Sequence, residues 1–513
     1  MNFLSPAPLR ALRLTGICAA AALSLLAQAG VSGFWVYRAP TGDGNFRDTY
    51  FELTQSGASV GGTFYSGTRQ IPVTEGSFKD GKLRFVVNLG NENIARPMVY
   101  EGTLANGKID MTAQAPSGNR PPTTGVAEHA RREAMLPPAR LPLPELHQVP
   151  DNGLVRTPPM GWNSWNLFAG KVDDRTVREI ADAMISSGMR EAGYVYVNID
   201  DTWEAPQRDV RGNIGTNSKF PNMKALADYV HSKGLKIGIY SSPGPKTCAE
   251  YEGSYGHEVQ DAQTFAAWGI DYLKYDWCSA SQIYKDEDMQ AVYQKMGDAL
   301  LKTGRPIVYS LCQYGRADVW KWGAKVGGNC WRTTGDIGDR WQSMDNIGFH
   351  QIEIAPYAKS GHFNDPDMLE IGNGGMNGDE YRTHLSLWSL LAAPLLAGND
   401  LRNMTAEIKS ILMNREVIAI DQDPAVNPVR QVSQEGKAVV LARRLKDNSL
   451  AVGLFNRGDQ AATVAVKWEA LGAGGKKMQV RDLWRHQPVE ASGGGYSASV
   501  PAHGVVLVRV AAQ

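Results

Sequence analysis

Apolar and polar positions pass through three regimes along the chain. From about residue 31 to 127 short alternating runs dominate, DTYFELTQ, ASVGGTFYS, KLRFVVNL and MVYEGTL, separated by Gly, Asn and Asp. Period-two alternation marks strands with one buried face, and turns at this spacing predict a small antiparallel β-sandwich or barrel. AEHARREAM, just after it, can make a short helix. The Pro-rich region over 128–153, with LPPARLPLPELHQVPDNG, predicts a linker or a strap lying over a neighbour.

Over 154–425 β-like runs alternate with helical ones, which is the pattern of βα units around a parallel sheet. The predicted strands are YVYVNI, KIGIYSS, YLKYDWC, PIVYSLC, NCWRTTGD and PLLAGND, with poorer candidates near Met160 and Phe363. Between them lie DDRTVREIADAMISSG, with an Asp cap and a Gly stop, then MKALADYVHSKG, MQAVYQKMGDALLKTG and EYRTHLSLWSLLAA. About eight units over roughly 265 residues is the size of a (β/α)8 barrel. A doubly wound sheet is the rival, but no Gly-rich phosphate fingerprint follows the first strand. Alternation returns over 426–513 in KAVVLARRL, LAVGLFNR, ATVAVKW and GVVLVRV. The expected fold class is α/β: a TIM barrel, a C-terminal antiparallel β-sandwich and an extra N-terminal β domain.

The N-terminus adds a destination. Arg10 and Arg13 precede the apolar run ICAAAALSLLAQAG, which ends in Ala27-Gln28-Ala29. These are the parts of a secretory signal peptide over 1–29, so an exported protein, periplasmic or secreted, is expected, with no membrane anchor after cleavage. Removing Cys18 leaves Cys248, Cys278, Cys312 and Cys330, an even number for an oxidising compartment. Two disulfides are expected, with three possible connectivities. Their spacing matches no zinc motif, so no metal and no cofactor are expected. Lys+Arg and Asp+Glu both number 53, so no global field favours nucleic acid.

The candidate chemistry gathers at strand ends. In DYLKYDWC, Tyr272, Lys274, Asp276 and Cys278 share one face. YVYVNI runs into Asp200-Asp201, Arg332 and Asp336 fall at matching parity in WRTTGD, and Asp365 and Asp367 do so in FNDPDM. A single carboxylate at a strand end is more often a cap or loop anchor. In a barrel, however, all strand C-termini open on one face, so recurring acids converge on one cavity. Such a cluster with one Lys, one Arg and several Trp suits a neutral polyhydroxylated ligand, and paired carboxylates suit glycosidic cleavage. Lys274 beside Asp276 would hold that acid ionised, as a nucleophile requires. Asp336 must keep a proton to act as an acid, which requires burial or nearby carboxylates.

TPPMGWNSWN, YVNIDDTW, KIGIYSSPGPKTC, DYLKYDWC, WRTTGDI and NDPDM, in this order, resemble glycoside hydrolase family 27, the melibiase-type α-galactosidases and their relatives. The resemblance implies Asp276 as nucleophile and Asp336 as acid/base. It implies a glycone pocket lined by Trp162, Asp200, Asp201, Tyr240 and Lys274, with Arg332, Asp367 and Met368 near the reacting carbon and C2. Cys248 with Cys278 matches a family disulfide, and Cys312 with Cys330 roughly matches a second. After SLC many relatives carry Glu where this chain has Gln313, which keeps the C2 hydroxyl readable. Asp201 leaves room for the C6 hydroxymethyl of galactose. The expected function is a retaining exo-α-galactosidase acting on a carbohydrate substrate. The alternatives are β-L-arabinopyranosidase, α-N-acetylgalactosaminidase or isomalto-dextranase activity, or a non-catalytic carbohydrate-binding barrel.

Overall fold

The computed structural model describes residues 30–40, 46–66, 69–90, 95–118 and 121–512; the expected signal peptide, with Cys18, lies outside them. Two compact units divide the chain, the first holding residues before 40 and 48–135, the second 40–47 and 136–513. In the first, nine antiparallel strands from Gly33–Pro40 to Thr123–His129 form one sheet. Pairing of the first strand with the last, and of Phe46–Ser56 with Ser59–Ser66, closes it on itself. The alternation seen in the sequence becomes a barrel interior of Trp35, Phe51, Phe85, Val87 and Ile109. AEHARREAM yields only a 3-10 turn, Arg132–Met135.

The second unit is built on eight parallel strands: β1 Met160–Asn163, β2 Tyr196–Asn198, β3 Lys236–Ser241, β4 Tyr272–Asp276, β5 Val308–Cys312, β6 Cys330–Arg332, β7 Phe363–Asp365 and β8 Leu395–Ala397. They run in the order β7-β6-β5-β4-β3-β2-β1-β8. A parallel bridge between Leu369 and Ala397 joins the segment after β7 to β8. The outer face of the strands, Val197, Ile239, Leu273, Leu311 and Trp331, packs under the helices in one large core. Local signals place those helices. Asp173 caps Asp174–Ser186 by accepting from the Thr176 amide at 2.8 Å, and Gly188 ends the turn at φ 86°. Asn377 and Glu380 make a reciprocal cap on Gly378–Leu391.

Ladder register sets which side chains share the barrel interior. Tyr240 pairs with Lys274, Lys274 with Ser310, Asp276 with Cys312, and Arg332 with Asp365. The interior is tightly filled: a Cβ on Gly238 would lie 2.1 Å from Asn198 Oδ1. At the floor, Tyr196, Tyr272 and Val308 form an apolar plug against Leu154 and Val155, which precede β1. The Pro-rich segment reaches this floor as a strap. The Leu141 amide donates to Tyr255 Oη at 2.9 Å, the Val149 amide to the Lys325 carbonyl at 2.8 Å, and Asn152 Nδ2 to the Ile307 carbonyl at 3.0 Å.

The C-terminal β-sandwich has a six-stranded sheet facing a two-stranded one, with Val440, Val452, Val464 and Trp468 between them. The other face of the large sheet joins the barrel core through Leu441, Phe455 and Leu507. Buried Arg443 spans that junction, donating to the Ser389 and Ile420 carbonyls at 3.0 Å each.

Candidate active site

The inward residues at the C-terminal ends of the strands come together, and each is held by a neighbouring strand. Asp200, just past β2, accepts from Lys274 Nζ of β4 at 2.8 Å and from Asn163 Nδ2 of β1 at 2.9 Å. Its own amide donates to Ser164 Oγ at 3.0 Å. Asp201 accepts from the Ala249 amide at 2.8 Å and the Thr202 amide at 2.7 Å. Asp276, at the end of β4, accepts from Tyr314 Oη at 2.6 Å and from Tyr240 Oη at 3.2 Å. Arg332 lies 3.0 Å from both Asp336 and Asp367. Among these strand ends a small cavity of about 20 Å³ is lined by Asn163, Lys274, Ser310, Arg332, Asp365, Asp367 and Met368, room for one water molecule.

Two sequence-based expectations about charge change here. Lys274 pairs directly with Asp200 rather than Asp276, because its long side chain reaches across to the end of β2. Burial pushes Asp276 above the ordinary carboxylate range, while the field of Lys274 and the Tyr314 hydroxyl pull it back. Burial works against the Lys274 ammonium, but Asp200, Cys312 and Asp276 together more than offset it and hold the lysine charged. Asp336 is not buried: its side chain is 69 % exposed at the barrel mouth, tied to Arg332.

The remaining predicted residues divide. Met368 and Asp367 line the cavity. Tyr240 lies beneath the Lys274 ammonium, ring centre 5.2 Å away. Trp162 pairs in register with outward-facing Val197, is fully buried in the helix-facing core, and donates its indole N–H to the Asn399 carbonyl. Asn163, one residue on, takes the inward position. Gln313 is fully buried just past β5, and neither side-chain amide atom has a hydrogen-bond partner among the described residues. Cys248 and Cys278 form a disulfide with Cα atoms 4.9 Å apart, and Tyr240 Oη lies 3.2 Å from Cys278 Sγ.

The second expected disulfide is absent: Cys312 and Cys330 are buried free thiols. Ladder register explains it, since Cys330 pairs with Ser310 and Cys312 lies two residues farther along β5. Two residues along one strand and one strand across separate Cα atoms by about 8 Å, beyond disulfide reach. Sequence reasoning missed Tyr314, which follows β5 at φ 62° and so obeys no strand parity. It also passed over Asn163, inside the quoted GWNSWN, and Glu204. The latter is fully buried, with both carboxylate oxygens lacking a hydrogen-bond partner among the described residues.

Burial pushes several carboxyls up: Asp201 to about 7, Asp365 to about 6, Glu370 to about 7, and Glu204 well above its usual range. Each binds its proton more tightly folded than unfolded. The stabilisation from Asp201, Asp365 and Glu370 is complete below the unfolded values near pH ~4 and is lost as pH rises through about 6–7, and that from Glu204 is lost as pH rises through its own raised value. Thermal stability should therefore fall between pH 5 and 8. Glu204→Gln should raise Tm at pH 8 by about 2–4 °C and change it little at pH 4.5. Calorimetry at the two pH values checks this, and an equal shift at both would reject the buried-acid account.

The chain matches the family described as alpha galactosidase A over residues 157–423, and an alpha galactosidase C-terminal beta sandwich domain over 435–510. It is 48% identical over 357 residues to an alpha-galactosidase of Cyamopsis tetragonoloba, covering 69% of this chain and 86% of that one. The crystal structure of alpha-galactosidase I from Mortierella vinacea superposes with a TM-score of 0.69 at 38% identity, over 71% of this chain and 99% of that one. A Saccharomyces cerevisiae alpha-galactosidase solved with raffinose superposes at 0.67 and 29% identity, over 71% of this chain and 99% of that one.

Proposed function

The chain belongs to the α-galactosidase family, glycoside hydrolase family 27, and from that membership we propose how its residues carry out retaining hydrolysis of terminal α-D-galactosides. The observation that carries the reading is buried Asp276, held by two tyrosine hydroxyls at the end of β4 with a charged Lys–Asp pair beside it. A carboxylate whose two oxygens are each held by a hydroxyl presents a defined lone pair to the anomeric carbon. Asp276 attacks C1 as the bond from C1 to the aglycone oxygen breaks, and Asp336 gives its proton to that oxygen. Asp336 then takes a proton from water, which attacks C1 and releases Asp276.

The exposure of Asp336 fits this role, because it lies at the open mouth where the aglycone leaves. The Asp200–Asp201 pair and Lys274 hold the hydroxyls farthest from C1. Gln313, its buried amide without a hydrogen-bond partner among the described residues, gains one when a sugar hydroxyl arrives. Export to the periplasm or exterior, from the N-terminal segment, completes the proposal.

A panel of p-nitrophenyl glycosides tests the glycone, and proton NMR of the first-formed sugar tests the stereochemistry. α-Galactoside turnover releasing the α-anomer first is expected. Preference for the β-L-arabinopyranoside, or first release of the β-anomer, would overturn the reading.

A further inference from the structure

Thr202 follows the Asp200–Asp201 pair at φ 83°, a region that β-branched residues avoid. Such a residue persists only where its surroundings over-determine it. Here they do. The Asn217 side-chain amide donates to the Thr202 carbonyl at 2.8 Å, and the Asn217 backbone amide donates to the Trp203 carbonyl at 2.9 Å. Lys219 Nζ donates to Thr202 Oγ1 at 2.8 Å and to the Gly170 carbonyl at 2.9 Å. Gly170 belongs to the turn Ala169–Lys171 that follows β1 and the short helix Trp165–Phe168. The lysine is itself anchored, its amide donating to Asn217 Oδ1 at 3.0 Å and its carbonyl accepting from the Asp174 amide at 3.0 Å.

We propose that Lys219 is a positioning residue for the Asp200–Asp201 pair, holding the strained Thr202 turn by bridging the loops that follow β1 and β2. The connection to the site is short. The Thr202 amide donates to Asp201 Oδ1, and the Asp201 amide donates to Asp200 Oδ1 at 3.0 Å. Relaxation of Thr202 toward negative φ swings the chain that follows the pair and pulls the Thr202 amide off Asp201. The bridge therefore keeps the carboxylates aimed while Lys219 itself stays outside the ring of groups that touch substrate. This rests on the reading of the pair as the glycone-hydroxyl contact.

The experiment is a set of full-length variants assayed on p-nitrophenyl α-D-galactopyranoside, with Tm measured for each. Lys219→Met keeps the aliphatic stem and removes the ammonium, with its bonds to Thr202 and Gly170 and its contact with the Tyr251 ring. It should raise KM about tenfold with kcat within about threefold, since the affected contacts hold substrate and transition state alike. Glycine adopts φ near 83° without strain, so in a Thr202→Gly background the same lysine change should raise KM by less than about threefold. Asp201→Asn, which should raise KM, separates the clamp from the glycone contact it serves. If it does and Lys219→Met leaves KM unmoved, with or without a fall in Tm, the clamp is overturned alone. An equal KM rise from Lys219→Met in both backgrounds also overturns it. If Asp201→Asn leaves KM unchanged, the glycone reading fails and takes this proposal with it.

Discussion

Asp276→Asn should lower kcat by roughly 10⁴-fold or more while the fold survives, the scale expected when the proposed nucleophile of a covalent mechanism is removed. The carboxylate accepts from Tyr314 and Tyr240, and an amide of nearly the same size keeps one acceptor oxygen for them. It cannot form a stable glycosyl ester, so the first step stops. Unchanged circular dichroism with residual activity below about 0.1% is the expected pair of results. Activity above about a tenth of the parent would move the nucleophile elsewhere. Asp365 is the next candidate to examine, because it is buried, faces the same cavity and carries a raised pKa.

Arg332→Leu gives the second large effect, on stability and turnover together. The guanidinium is 4% exposed and lies 3.0 Å from Asp367, itself 4% exposed, so its removal strands a buried carboxylate. Breaking one side of a buried pair costs about 3–5 kcal/mol. The same change frees Asp336, which among the described residues makes its ion pair with that arginine. Urea unfolding should show the stability loss, and kcat/KM should fall by about 10³-fold. Asp367→Asn in the Leu background should restore part of the stability, because it removes the stranded charge. If the double variant is no more stable than Arg332→Leu, Asp367 was not the group left uncompensated.

The barrel and its reactive face were legible because parity along a strand is local information. Period two in DYLKYDWC puts Tyr272, Lys274 and Asp276 on one side, and the structure keeps all three inside the barrel. Which groups then touch depends on register between strands, which no single segment encodes. That is why Lys274 meets Asp200 across the barrel, and why Cys312 and Cys330, on one face but two residues out of step, stay apart. Trp162 shows the converse: a motif marks it, while its register with Val197 sets it beside the helix-facing core. Tyr314 and Lys219 escaped because they sit in loops, where conformation rather than periodicity decides direction. The closed nine-stranded sheet was read only as sandwich or barrel, since closure is a property of the whole ring.

The strap ahead of β1 changes what counts as a separable catalytic part. Likeness to the family begins at residue 157, yet the underside of the barrel is finished by earlier residues. Leu154 and Val155 cover Tyr196, Tyr272 and Val308, and Asn152 ties into Ile307 and Asn329 between β5 and β6. A piece trimmed to the family boundary would turn an aromatic interior layer into surface, at the end of the barrel opposite the chemistry. The catalytic portion thus begins, as a physical object, some twenty residues before it begins as a recognisable sequence, at Leu136 where the second compact unit resumes. Inherited likeness and mechanical self-sufficiency have different edges in this chain.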